Sequence, residues 1–199
     1  MNEKIAESAL QEFLTHGIRD ITIAKLIAPL SISTKTFYKY YDSKETLLKE
    51  CLYVLYDRTY EDLGRIANSE ADPVTKLIVI FTKAFDKDFG KNHAFYHDLN
   101  HYYPALQNEA IHHIATKSGA LMVPLIKQGI KDGYFLASLD PLVALQGINT
   151  LYTSITRGQD FQNSSVSPEL LFKNLIEIFI RGMCTIKGQK KIKNFSNNL

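Results

Sequence analysis

Apolar residues recur at three- and four-residue intervals along most of the chain. No run of strict alternation is long enough for a convincing strand, so the pattern is helical throughout. Residues 3–16 form one amphipathic segment, with Ile5, Ala9, Leu10, Phe13 and Leu14 on one side and Gly17 suited to its C-terminal cap. Two short segments follow, 22–28 and 34–41, then a long one over 43–63 that opens with a D-x-x-E capping box, Asp42 and Glu45. Asp72-Pro73, Asp140-Pro141 and Ser167-Pro168 each place a capping side chain before a proline at the first helical position. They predict helices over 73–89, 141–157 and 168–186. Between them a short helix is expected over 92–100, and a long one over 104–131 that contains Pro124 and ends at Gly133. Residues 158–166 read as a polar loop. The lysine-rich end is expected to be disordered. The fold class is therefore all-α, about nine helices: a small N-terminal unit over 1–48, a larger C-terminal one over 49–188, and a tail over 189–199.

The segment pair 22–41 is the informative one. Ile23, Leu26 and Ile27 share a face, and Pro29 disfavours a helical Ala28. Ser33 is a good N-cap for the second segment, in which Phe37 and Tyr41 face inward. Its other positions are Thr34, Lys35, Thr36, Tyr38, Lys39 and Tyr40. A helix this short and polar is marginal alone. It makes sense as a helix-turn-helix whose second helix is held by two rings and turns hydroxyls, lysines and tyrosines toward a partner. Those groups suit phosphates and base edges.

Charge adds little. The net formal charge is +2, and residues 1–50 hold as many lysines and arginines as acids. Support for a nucleic-acid partner is positional instead, from Lys35, Lys39 and Lys44. The two cysteines, Cys51 and Cys184, lie in apolar helical patterns and are expected as buried thiols. No signal peptide pattern and no apolar run of transmembrane length appear, so a cytoplasmic protein with no membrane partner is expected.

The strings TIAKLI and SISTKTFYKYYDSKETLL resemble the N-terminal domain of TetR-family transcriptional regulators. Thr22, Ile32, Ser33, Thr36, Phe37, Tyr38, Tyr40, Ser43, Lys44, Glu45 and Leu47 match that family's pattern. Ser31 stands where the turn glycine is usual, Lys35 where glycine is frequent, Ile27 where alanine is usual, and Pro29 is uncommon. The resemblance implies a DNA-binding regulator, most simply a ligand-released repressor on a palindromic operator. Double-stranded DNA is then its partner, through Thr22, Thr34, Lys35, Thr36, Tyr38, Lys39, Tyr40 and Lys44. Tyr38 and Lys44 are expected mainly at phosphates, and Thr34, Lys35, Thr36 and Lys39 nearest the bases.

The last helix is apolar nearly all round, which requires a partner on its second face. With the preceding helix it fits a two-fold four-helix bundle, as in TetR-like homodimers. The expected interface residues are Leu145, Ile148, Leu171, Leu175, Ile178, Phe179 and Met183. By the same resemblance a small hydrophobic or aromatic effector is expected among Phe81, Phe85, Phe89, His93, Tyr96, His97, Met122, Ile126 and Tyr152. No phosphate loop, nucleophile elbow or paired-cysteine zinc pattern is present, so neither an enzyme nor a cofactor is expected. His93, His97 and His101 fall on one helical face, a spacing that can bind a transition metal. Tyr102-Tyr103-Pro104 is expected to unwind the helix near His101, and polar lining rather than metal binding is the expected role. That face carries the rival reading, a helical small-molecule- or metal-binding protein without DNA function.

Overall fold

The N-terminal segment forms helix because an alanine- and leucine-rich face recurs every three to four residues. It stops because Gly17 takes a left-handed φ of 77° that other residues resist. In the computed structural model, which describes residues 2–90, 92–157, 161 and 166–196, the helices are α1 Asn2–His16, α2 Ile23–Ile27, α3 Thr34–Phe37, α4 Lys44–Ala67, α5 Pro73–Phe89, α6 His93–Tyr102, α7 Pro104–Lys131 and α8 Pro141–Arg157. After residue 166 come α9 Pro168–Leu171, a π-helical stretch Phe172–Glu177, α10 Ile178–Met183 and α11 Ile186–Ser196. Among the described residues the one extended pairing is an isolated bridge between Phe135 and Cys184. Most of the expected polar loop at 158–166 lies outside the described residues.

The chain divides into two compact units, residues 1–61 with 87–116, and 62–86 with 117–199. The boundary expected at residue 48 falls inside α4 and inside the first unit. The reason is the core. Leu10 and Phe13 of α1, Leu26 of α2, Phe37 of α3, Leu47, Leu48, Cys51 and Leu52 of α4, and Phe95 and Leu99 of α6 are all buried in a single cluster. A cut at 48 would expose Cys51, Leu52 and the α6 side chains, at about 1.5–3 kcal/mol for each large one.

In the second unit, α5 turns Val74, Leu77, Ile78, Phe81 and Phe85 inward, α7 contributes Met122, Leu125 and Ile126, and the C-terminal helices contribute Ile176, Ile180 and Met183. Gly129 is required here, since a Cβ would sit 2.2 Å from the Phe135 ring.

Three expectations are corrected. The second segment is α-helical only over Thr34–Phe37, because Lys39 and Tyr40 N–H groups bond back three residues, to Thr36 and Phe37, and tighten the turn. The helix at 92–100 does not unwind at His101 but continues to Tyr102. The last helix stops at Met183, where Cys184 becomes extended, and the tail from 189 is not disordered but part of α11 through Ser196, with Ile192 fully buried.

Candidate nucleic-acid interface

Two hydroxyls fix the pair of short helices. Thr22 Oγ1 accepts from the Lys25 N–H (3.3 Å) and starts α2. Ser33 Oγ accepts from the Thr36 N–H (3.0 Å) and starts α3. Between them a 3-10 turn, Ala28–Leu30, accommodates Pro29 at its first positions. Ser31 then reverses the chain at φ 53°, ψ 32°. It is the only non-glycine with positive φ among the described residues, at the position where the turn glycine is usual in the pattern that the sequence resembles.

Beneath the surface Phe37 is fully buried, stacked on Tyr41 (centroids 5.7 Å) and edge-on to Tyr38 (5.2 Å). Tyr41 is itself buried, and its hydroxyl donates to the Asn2 carbonyl (3.0 Å). Burial, with Cys51 and Glu50 adding, pushes that phenol up to about 12, so it stays a neutral donor. Above them Thr34, Lys35, Tyr38, Lys39 and Tyr40 are exposed, Tyr38 at 56% and Tyr40 at 38%. Thr36 is half-buried and shares a hydrogen bond with Ser33 Oγ (2.9 Å). Thr22 is exposed at the start of α2.

Lys44 departs from expectation. Its ammonium turns inward and donates to the carbonyls of Ile18 (2.8 Å), Arg19 (3.1 Å) and Ile21 (3.1 Å). An ammonium has three donors, so none is left for a phosphate. The same turn is met from α6 by Asp98. Its Oδ2 accepts from the N–H groups of Ile18 (2.8 Å) and Arg19 (2.9 Å).

Residues 5–51 match the family described as bacterial regulatory proteins, tetR family. The transcriptional repressor KstR2 of Rhodococcus jostii RHA1 is 19% identical over 186 residues, covering 92% of this chain and 90% of KstR2. The segment that carries the two short helices is TetR-like. Among solved structures, a TetR/AcrR-family regulator of Thermobifida fusca superposes at a TM-score of 0.68 with 17% identity, covering 92% and 98% of the two chains. Bacillus subtilis FadR, solved with stearoyl-CoA, does so at 0.67 with 17% identity, covering 92% and 99%. The helix-turn-helix just described lies wholly within the matched TetR segment.

The residues expected to line one effector site divide between the units. Phe81, Phe85, Met122, Ile126 and Tyr152 belong to the second, where Phe81 and Phe85 pack edge-on against Tyr152 (6.0 and 5.9 Å) and Phe85 against Phe172 (5.2 Å). Phe89, His93, Tyr96 and His97 belong to the first, with Tyr96 buried and its phenol pushed up by desolvation. On α6 the rings of His97 and His101 stack at 4.3 Å, and His101 Nδ1 meets the His97 carbonyl (2.8 Å). Among the described residues no three His, Cys, Asp or Glu side chains are placed to hold a metal. An open groove of about 790 Å³ runs beside α8, lined by Gln146, Asn149, Thr150, Thr153, Ser154 and Arg157, and by none of the expected effector residues.

The expected dimer residues are also re-sorted. Leu145, Ile148, Leu171 and Met183 are buried within the subunit, and Leu175 and Phe179 are half-buried, Phe179 against Gly147. On α8 and the helices after residue 167, exposed apolar side chains include Leu142 (55%), Val143 (64%), Leu170 (50%) and Ile178 (54%). Leu170, Asn174, Ile178 and Gly182 are all exposed at four-residue spacing, and of the expected residues Ile178 lies on this outward face.

Proposed function

We propose that this protein is a TetR-family regulator, a homodimeric repressor that reads a two-fold-symmetric duplex site through α2 and α3 and leaves it when an apolar effector binds. The observation that carries the reading is the exposed set Thr34, Lys35, Tyr38, Lys39 and Tyr40, propped on the buried rings of Phe37 and Tyr41. Lysines and a phenol hydroxyl meet phosphates; threonines and lysines at the start of a short helix reach base edges. Lys44 takes no part, since its donors are occupied. A dimer supplies two such surfaces, for half-sites about one helical turn (roughly 34 Å) or a multiple apart.

The outward Leu142, Val143, Leu170 and Ile178 support association between copies. The aromatic cluster of Phe81, Phe85, Tyr152 and Phe172 in the second unit supports a largely apolar effector. A long acyl thioester, as in the FadR complex, and small aromatic compounds are the first to try. Because an effector shifts affinity only through a difference between two states, the duplex and the effector must weaken each other's binding by the same factor.

Selection of bound duplexes from a random pool tests the core of the reading. An inverted repeat is the expected outcome. Recovery of no sequence above background overturns the DNA-binding reading, and recovery of an unrepeated half-site overturns the dimer.

A further inference from the structure

We infer that Asp98 is a positioning residue for DNA reading. It lies on α6, well outside the segment that matches the family, and acts on the turn that sets α1 against the α2–α3 pair. The inference rests on the DNA-binding reading above.

The turn over residues 17–21 is held on both sides of its backbone. From α6, Asp98 Oδ2 accepts the Ile18 and Arg19 N–H groups at 2.8 and 2.9 Å. From the start of α4, the Lys44 ammonium donates to the Ile18, Arg19 and Ile21 carbonyls. The donors at this turn thus meet a carboxylate and its acceptors meet an ammonium. Charge-assisted bonds of this kind are about twice as strong as neutral ones. The Arg19 side chain adds a third tie to α6, its guanidinium lying 4.3 Å from the centre of the Tyr102 ring.

Two further facts show that the site is shaped for the carboxylate. Gly17 holds φ 77°, and a Cβ there would stand 3.1 Å from Asp98 Oδ2, so the backbone approaches the acid as only glycine permits. The Asp98 side chain is only 16% exposed, with Oδ1 facing His97 Nδ1 at 3.7 Å. Two of the three residues that follow Ile18 before α2, Arg19 and Ile21, are bonded through their backbones, and Thr22 begins α2 directly after. Loss of Asp98 therefore frees the segment that carries α2, while leaving Lys35, Lys39 and Tyr38 in place on α3 and its following turn. Base reading requires that orientation; phosphate attraction does not.

The test uses the full-length protein with Asp98→Ala, Asp98→Asn and Lys44→Met, singly and as the Asp98→Ala/Lys44→Met pair. Each is titrated against the duplex selected from the random pool and against an unrelated duplex, with amide hydrogen exchange read at Ile18 and Arg19. Asp98→Ala is expected to bind the selected duplex about tenfold more weakly, the scale of one lost charge-assisted hydrogen bond, and the unrelated duplex unchanged. Asp98→Asn keeps an acceptor oxygen and should recover part of the loss. The double variant should lose less than the two single losses together, since both side chains hold one turn. Ile18 and Arg19 amides should exchange faster in Asp98→Ala. Equal losses on both duplexes would mark general damage and overturn the inference, as would additive losses or wild-type affinity in Asp98→Ala. A wild type that selects no duplex overturns the DNA-binding reading and this inference with it. A wild type that selects one, bound equally by Asp98→Ala, overturns this inference alone.

Discussion

Ser31 sits in a backbone conformation that costs an L-residue about 1–2 kcal/mol and glycine almost nothing. Glycine also has more freedom to lose on folding, about 0.5–1 kcal/mol. Ser31→Gly should therefore stabilise the protein by up to about 1 kcal/mol, seen as a higher urea midpoint with unchanged slope. A lower midpoint would show that the serine hydroxyl stabilises the turn in a way that the geometry does not reveal. Lys44 makes the opposite case. From sequence alone it is a phosphate contact; its three bonds to carbonyls make it part of the scaffold. Lys44→Met should lower stability by about 2 kcal/mol in thermal melts and leave the salt dependence of DNA affinity unchanged. Lys39→Ala, which removes an exposed charge, should reduce that salt slope by about one unit and leave the melt alone. Phe37, Tyr41 and the exposed Tyr38 were readable beforehand, because ring spacing on a four-residue period is local information. The destination of a lysine side chain twenty-five residues from its acceptors was not.

Helix starts were legible wherever a side chain caps its own turn. Asp72 accepts from Val74 and Thr75, Asp140 from Leu142 and Val143, and Ser167 from Leu170, and each element begins there. Ends set by distant contacts were hidden. The apolar pattern continues past Met183, yet the helix stops, because Leu136 N–H donates to the Met183 carbonyl and Thr185 N–H to that of Tyr134. The polar run beyond it becomes α11 through Ile192 in the core and Lys187 and Lys191 over the Tyr134 ring. Gly188 makes that docking possible, since an added Cβ would lie 2.2 Å from the Tyr134 carbonyl oxygen, a backbone atom that cannot swing aside. Gly188→Ala should displace α11, with a loss of about 1–3 kcal/mol and faster amide exchange at Ile192. Unchanged exchange would mean that the turn at 133–135 yields instead.

For the whole molecule, the apolar periodicity marked the C-terminal helices as apolar nearly all round, but only packing decides which side is inward: of the expected interface residues Ile178 is exposed, while Leu145, Ile148, Leu171 and Met183 are buried. Ile178→Asp places a charge on the outward face and should leave the fold intact while light scattering gives a monomer mass. A surviving dimer would place the interface elsewhere. Folding is also linked to alkaline pH. Burial raises the Cys184 thiol from 9.0 to about 12 and the Tyr41 phenol from 10.0 to about 12. In each the folded state favours the neutral form, so the stabilisation is complete below the ordinary values and is lost as pH rises toward 12. Urea midpoints should hold steady to about pH 8.5 and fall beyond it, less steeply in Cys184→Ser.

The hydrogen bond from Tyr41 to the Asn2 carbonyl brings the front of the chain to the underside of the residues that would face a duplex. Any leader or affinity tag fused ahead of Met1 emerges one residue from that bond. A polyhistidine extension there would add positive charge of its own near that surface at mildly acidic pH. Affinities taken with such a leader would belong partly to the leader, and untagged protein is the proper starting material for every titration described above.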